Sequence, residues 1–157
     1  MNPPLATSFR IALAQIAPVW LDRAATTGKI VAAIDQAATQ GAGLVAFGEA
    51  LLTGYPFWVE HTDGARFESD LQKALYAHYC DQAVVPERGD LDPIRDAARR
   101  GGLWVTLGTI ERALDRGGHS LYCSLMLIHA HRALRNVHRK LMPTHEERPG
   151  GGPGGSA

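Results

Sequence analysis

Cysteine is scarce. Cys80 and Cys123 are the only two thiols among 157 residues. Two cysteines build no disulfide framework, which excludes a small secreted scaffold held by bridges. An excess of either charge is missing too. Lys and Arg number 16 and Asp and Glu number 16, for a formal net charge of zero. The basic surplus of a nucleic-acid binder is therefore absent. A near-neutral chain also has little electrostatic protection against self-association. The apolar stretch Leu125 to Ile128 with its neighbours is far too short to cross a bilayer. Met1 to Phe9 is short, mixed and proline-containing, unlike a secretory leader. No G-x-G-x-x-G stands between a strand and a helix, and no P-loop, HExxH or zinc-spaced cysteine pair occurs, so the chain implies no cofactor and no metal. His129 and His131 alternate, without a further ligand pattern around them. The expectation is a soluble cytoplasmic protein with reduced thiols and neither a nucleic-acid nor a membrane partner.

What is present is ordinary globular patterning. Hydrophobic residues make up 45% and charged residues 20%, enough for one domain with a real core. Phe9 to Ala17 reads as a buried strand ended by Pro18. Asp22 to Gln40 reads as a helix, with Ile30, Ala33, Ile34, Ala37 and Ala38 in one stripe and Gly41 as its stop. Leu44 to Phe47 is a short buried strand, which completes a strand–helix–strand α/β pattern. Tyr55 to Gly64 reads as an aromatic loop and Phe67 to Cys80 as a helix, with Leu71, Leu75 and Tyr79 recurring every fourth residue. Asp92–Pro93 is a helix start with Asp92 as N-cap, Leu91, Ile94 and Ala98 inward, and Gly101–Gly102 at the end. Leu103 to Ile110, Ser120 to His129 and Ala133 to Arg139 read as strands. Glu111 to His119 reads as a hairpin loop and Ala130 to Arg132 as a turn. The segments divide into a disordered start (1–8), a patterned domain (9–148) and a disordered tail (149–157), PGGGPGGSA, too poor in apolar side chains to join a core.

A few residues are placed for chemistry. Glu49 directly follows the strand Leu44 to Phe47, and the carboxyl end of a strand is where α/β proteins build sites. Apolar surroundings would raise its pKa and suit a general base; from position alone, a helix-start or surface glutamate is the simpler explanation. Lys140 ends a strand beside His138 and Arg139. It either stabilises a developing negative charge or is a solvated strand end. Glu147, beside Glu146, says little alone. Cys123, inside the apolar run LYCSLMLI, reads as a buried inert thiol, and Cys80 at a helix C-terminus gains no help toward a thiolate. Tyr55, Phe57 and Trp58 either line a pocket or pack beneath a loop.

Four segments, in order, carry a resemblance to the nitrilase superfamily of carbon–nitrogen hydrolases. They are RIALAQIAPVWLD, GEALLTGYPFW, WVTLGTIER with LYCSLMLI, and VHRKLMPTHEER, and together they span Phe9 to Arg148. Gly48 stands where the family usually has proline. The form of the lysine segment resembles the nitrilase branch.

The resemblance implies an α/β fold, half of a four-layer α-β-β-α nitrilase-like sandwich, with sheet edges and an apolar face left uncovered. It implies hydrolysis of a small organic nitrile to a carboxylic acid and ammonia, within nitrogen compound metabolism. A thiolate attacks the nitrile carbon, Glu49 serves as base, Lys140 stabilises negative charge, and Glu147 orients lysine and substrate. Tyr55 and Trp58 are the candidates for substrate contact. The family's cysteine belongs beyond the lysine, so this chain is expected to be truncated and inactive alone. Its glycine-rich end suits a frameshift or early stop. The expected partner is a homo-oligomer mate or a full-length relative. Two alternatives stay open: a non-catalytic interaction module, and an amidase-branch hydrolase.

Overall fold

The computed structural model describes residues 8–64, 66, 68–114, 119–129 and 134–142. The elements are β1 (Ile11–Ala14), α1 (Arg23–Thr39), β2 (Leu44–Phe47), α2 (Trp58–His61), α3 (Asp70–Gln82), α4 (Asp92–Gly101), β3 (Trp104–Arg112), β4 (Leu121–Ile128) and β5 (Leu134–Arg139), with a 3-10 turn at Pro86–Arg88. The five strands form one sheet in the order β1-β2-β3-β4-β5. The first three are parallel, and the pairs β3–β4 and β4–β5 are antiparallel.

Local chemistry explains the boundaries. Asp22 caps α1 by accepting from the Ala25 N–H at 2.8 Å. At the other end Gly41, with φ +71°, donates to Ala38 O, and the Ala42 N–H donates to Ala37 O. That reciprocal pair closes the helix, and the positive φ favours glycine. The expected stripe holds: Ile30, Ile34 and Ala37 are buried, while Ala33 and Ala38 pack at its margin. At the start of α4 and along it, Leu91, Ile94 and Ala98 are fully buried.

Several expectations shift. β1 is shorter than Phe9 to Ala17, because only Ile11 to Ala14 finds a partner in β2. The N-cap of α4 is Leu91; Asp92 is the first helical residue and bonds Arg95 at 3.0 Å instead. Leu71 of α3 is 56% exposed, and the buried side chains of that helix are Tyr79 and Cys80. The aromatic loop contains the single turn α2. β3 runs on through Glu111, which the polarity of 111–119 had assigned to a loop; its carboxylate is buried but answered by partners described below. The turn at 130–132, the start at 1–7 and the tail at 149–157 lie outside the described residues.

Two cores sit on opposite faces of the sheet. Helices α1 and α4 cover one face, with Val45, Val105, Leu107, Met126 and Ile128 beneath them. On the other face, Ala50, Tyr79, Cys80, Ile110 and Leu121 form a smaller cluster at one end. Beyond it that face is open: Ile11 and Leu13 on β1 and Leu125 on β4 are exposed, Leu13 by 82%.

Candidate active site

Glu49 is carried by a detour of the chain. β2 ends at Phe47, and the backbone leaves the sheet and returns at Leu52. There the Leu52 N–H donates to Gly108 O at 3.2 Å, and the Ile110 N–H donates to Leu52 O at 2.6 Å. In between, the chain lies against the open face of β3 at Gly108. A Cβ at that position would stand 2.3 Å from Gly48 O and 2.6 Å from Glu49 Cα. Glycine is therefore required for the loop to approach the strand. Gly108 was missed by the sequence reading, although a glycine inside a run of β-formers is itself a sign of close backbone approach.

The register brings three side chains to one place. Cys123 pairs with Ile110, two positions from Leu125, which pairs with Gly108. The Lys140 N–H donates to Cys123 O at 2.8 Å, which carries the β4–β5 ladder one residue past β5. Lys140 Nζ then reaches Glu49 Oε1 at 2.7 Å, and the Cys123 thiol approaches the same oxygen at 3.4 Å. An open pocket of about 490 Å3 lies over this cluster, with Leu125, Leu141 and Met142 on its wall.

The electrostatics run against the expectation for Glu49. The hydrogen bond from Lys140 holds its carboxyl below the ordinary glutamate value, and desolvation, which opposes this, is the smaller effect. The side chain is 57% exposed, so apolar surroundings do not dominate. Glu49 is thus a carboxylate at neutral pH, able to accept a proton, beside an ammonium able to face developing negative charge. Cys123 also departs from its expected role as a buried inert residue: it is half-buried and touches Glu49. Cys80 is buried, and desolvation pushes its thiol pKa up.

Behind the site lies a second polar cluster. Glu111 is 4% exposed. Its carboxylate accepts from Ser124 Oγ at 2.6 Å and from Arg139 Nε and Nη2 at 3.0 and 2.8 Å.

A carbon–nitrogen hydrolase model matches residues 10–156. The chain belongs to the carbon–nitrogen hydrolase family. Within it, the chain is 38% identical to a nitrilase of Pseudomonas syringae pv. syringae (strain B728a), over 100% of this chain and 43% of that one. It is 37% identical to a bromoxynil-specific nitrilase of Klebsiella pneumoniae subsp. ozaenae, over 90% of this chain and 38% of that one. The chain thus spans about two-fifths of the length of these relatives. Its fold is similar to that of an amidase from Nesterenkonia sp., with a TM-score of 0.67 at 21% identity, over 94% of this chain and 49% of that one. The five-stranded sheet and its helices are therefore half of a nitrilase-type fold.

Of the residues singled out in the sequence, the structure brings Glu49 and Lys140 into contact. Glu147 lies outside the described residues. Tyr55 and Trp58 pack at the edge of the smaller core, the Trp58 ring 5.8 Å from that of Tyr79. Neither is on the wall of the Glu49 pocket. Among the described residues no group of three or more His, Cys, Asp or Glu side chains is arranged to hold a metal ion. No helix among them is long and apolar enough to cross a membrane.

Proposed function

We propose that this chain carries the glutamate–lysine part of a nitrilase-type site, for hydrolysis of a small organic nitrile to a carboxylic acid and ammonia. The observation that carries the reading is the contact of Lys140 Nζ with Glu49 Oε1 at 2.7 Å inside an open pocket. In this reading Glu49 is the general base, removing the proton of an attacking thiol and later activating water. Lys140 meets the negative charge that grows on the substrate nitrogen as the covalent thioimidate forms. Glu147 orients the lysine. The apolar wall of Leu125, Leu141 and Met142 suits an organic substituent on the nitrile. Tyr55 and Trp58 contact substrate only if the loop between β2 and α3 moves toward the pocket.

The 157 residues alone are read as inactive. Cys80 is buried with a raised pKa. Cys123 lies on β4 ahead of Lys140, whereas the resemblance puts the nucleophile beyond the lysine. The test is ammonia release from a panel of nitriles and the matching amides. The chain would be assayed alone and mixed with the part of the Pseudomonas syringae relative that it does not match. Release from the mixture that disappears with Glu49→Ala and with Lys140→Met is expected, and none from the chain alone. Release that ignores both substitutions would refute the site. Turnover of amides but not nitriles would move the chain to an amidase role.

A second reading has its own observation. The exposed Ile11, Leu13 and Leu125 on the open sheet face suit a non-catalytic module that pairs with a full-length relative or with its own copies. Co-purification of a full-length relative, undiminished by Glu49→Ala, would favour it.

A further inference from the structure

The buried Glu111 cluster has no part in the chemistry above, and its energetics call for a reason. Taking a carboxylate and a guanidinium out of water is costly, and well-packed apolar residues would serve stability as well. What distinguishes this pair is where it sits. Glu111, Ser124 and Arg139 belong to three successive strands, with Ser124 opposite Arg139 in the register. Tyr122, opposite Glu111, lies under the Arg139 guanidinium with 4.8 Å to the ring centroid. Arg139 is the last residue of β5, which is an edge strand with β4 as its neighbour. The ladder to β4 and the half-buried Leu134 and Val137 hold that strand to the sheet, while Arg135, Asn136 and His138 are exposed, so the side-chain anchor nearest its end is Arg139. Successive side chains on a strand point to opposite faces. A clamp on Arg139 beneath the sheet therefore sets where Lys140 emerges above it.

We propose that Glu111 and Arg139 are positioning residues, a buried clamp on β3 and β5 that aims Lys140 at Glu49. The inference rests on the Glu49–Lys140 pair being the working site, and its test reads the pair's geometry rather than turnover. The planar fork of Arg139 engages one carboxylate with both Nε and Nη2, which fixes orientation as well as distance. A lysine at 139 keeps the charge but not the fork. The Glu49 carboxylate reports on the clamp, because its depressed pKa has the Lys140 hydrogen bond as its largest cause.

The experiment is a carbon-detected NMR titration of the Glu49 carboxyl in the full chain, assigned with Glu49→Gln. Lys140→Met marks complete loss of the contact and should raise the Glu49 midpoint. The double variant Glu111→Gln/Arg139→Gln removes both buried charges together, and Arg139→Lys is the gentler alternative should the double variant fail to fold. Each is expected to raise the Glu49 midpoint by at least half the Lys140→Met shift, and to speed exchange of the Lys140 amide that bonds Cys123. A purely structural ion pair would alter the melting temperature and leave Glu49 alone. An unmoved Glu49 midpoint in Arg139→Lys and in a folded double variant overturns the proposal. A midpoint that also ignores Lys140→Met overturns the pair itself, and so the reading beneath it.

Discussion

Gly108→Ala puts the architecture of the site to a sharp test. The added Cβ would lie 2.3 Å from Gly48 O, 2.6 Å from Glu49 Cα and 2.8 Å from Ala50 N, all inside 3.0 Å. All three are backbone atoms, so no side chain can swing aside. Loop and strand must part by over half an ångström, against two hydrogen bonds that tie Leu52 to β3. Overpacking of this kind costs about 1–3 kcal/mol. Relief of glycine's backbone entropy returns about 0.5–1 kcal/mol, which leaves a net loss centred on about 1 kcal/mol and no more than about 2.5 kcal/mol. The displaced segment carries Glu49, so its contact with Lys140 should weaken and its pKa should rise. Urea denaturation gives the first quantity, read from a lowered midpoint at constant slope, and carboxyl NMR gives the second. Gly48→Ala is the control on the same loop, because a Cβ there meets nothing within 4 Å. It should leave both readouts near wild type. A Gly108→Ala chain as stable as wild type, with Glu49 titrating unchanged, would refute the claim that this close approach sets the loop.

Thiol labelling with a maleimide at neutral pH should modify Cys123 first and Cys80 only slowly, since Cys80 is buried with a raised pKa; equal rates would contradict the packing of α3 on the sheet. Arg139→Ala should cost about 3–5 kcal/mol, because it strands the buried Glu111 carboxylate. Glu111→Ala should cost less, since Arg139 is partly exposed and can turn to water; chemical denaturation of the two variants gives the order. Glu49 has a lowered folded-state pKa, so its contribution to stability is present above the unfolded value and is lost as pH falls through the folded one. The contribution is small because the side chain is more than half exposed. Glu49→Gln should flatten that acid limb in melts across pH while changing neutral-pH stability little; a steeper limb would reverse the assigned sign.

Much of this protein was legible in one dimension because the relevant physics is local. The 3.6-residue stripe of Ile30, Ile34 and Ala37, the cap at Asp22 and the stop at Gly41 define α1 without reference to anything distant. The alternation of β-formers marks β3 and β4, and the order of motifs around Glu49 and Lys140 is a property of the string itself. Expectations failed where a distant partner overrode local character. Glu111 was assigned to a loop because it is charged, yet Arg139 and Ser124 make its burial tolerable. Cys123 looked inert because its neighbours are apolar, yet strand pairing turns it toward Glu49. The Glu49 pKa moved down rather than up because an ammonium 91 positions away outweighs desolvation. The sequence by itself determined the elements, the family and which residues carry charge. Only the tertiary structure decided which of those charges meet, because register and backbone approach at positions such as Gly108 are set by residues far apart in the chain.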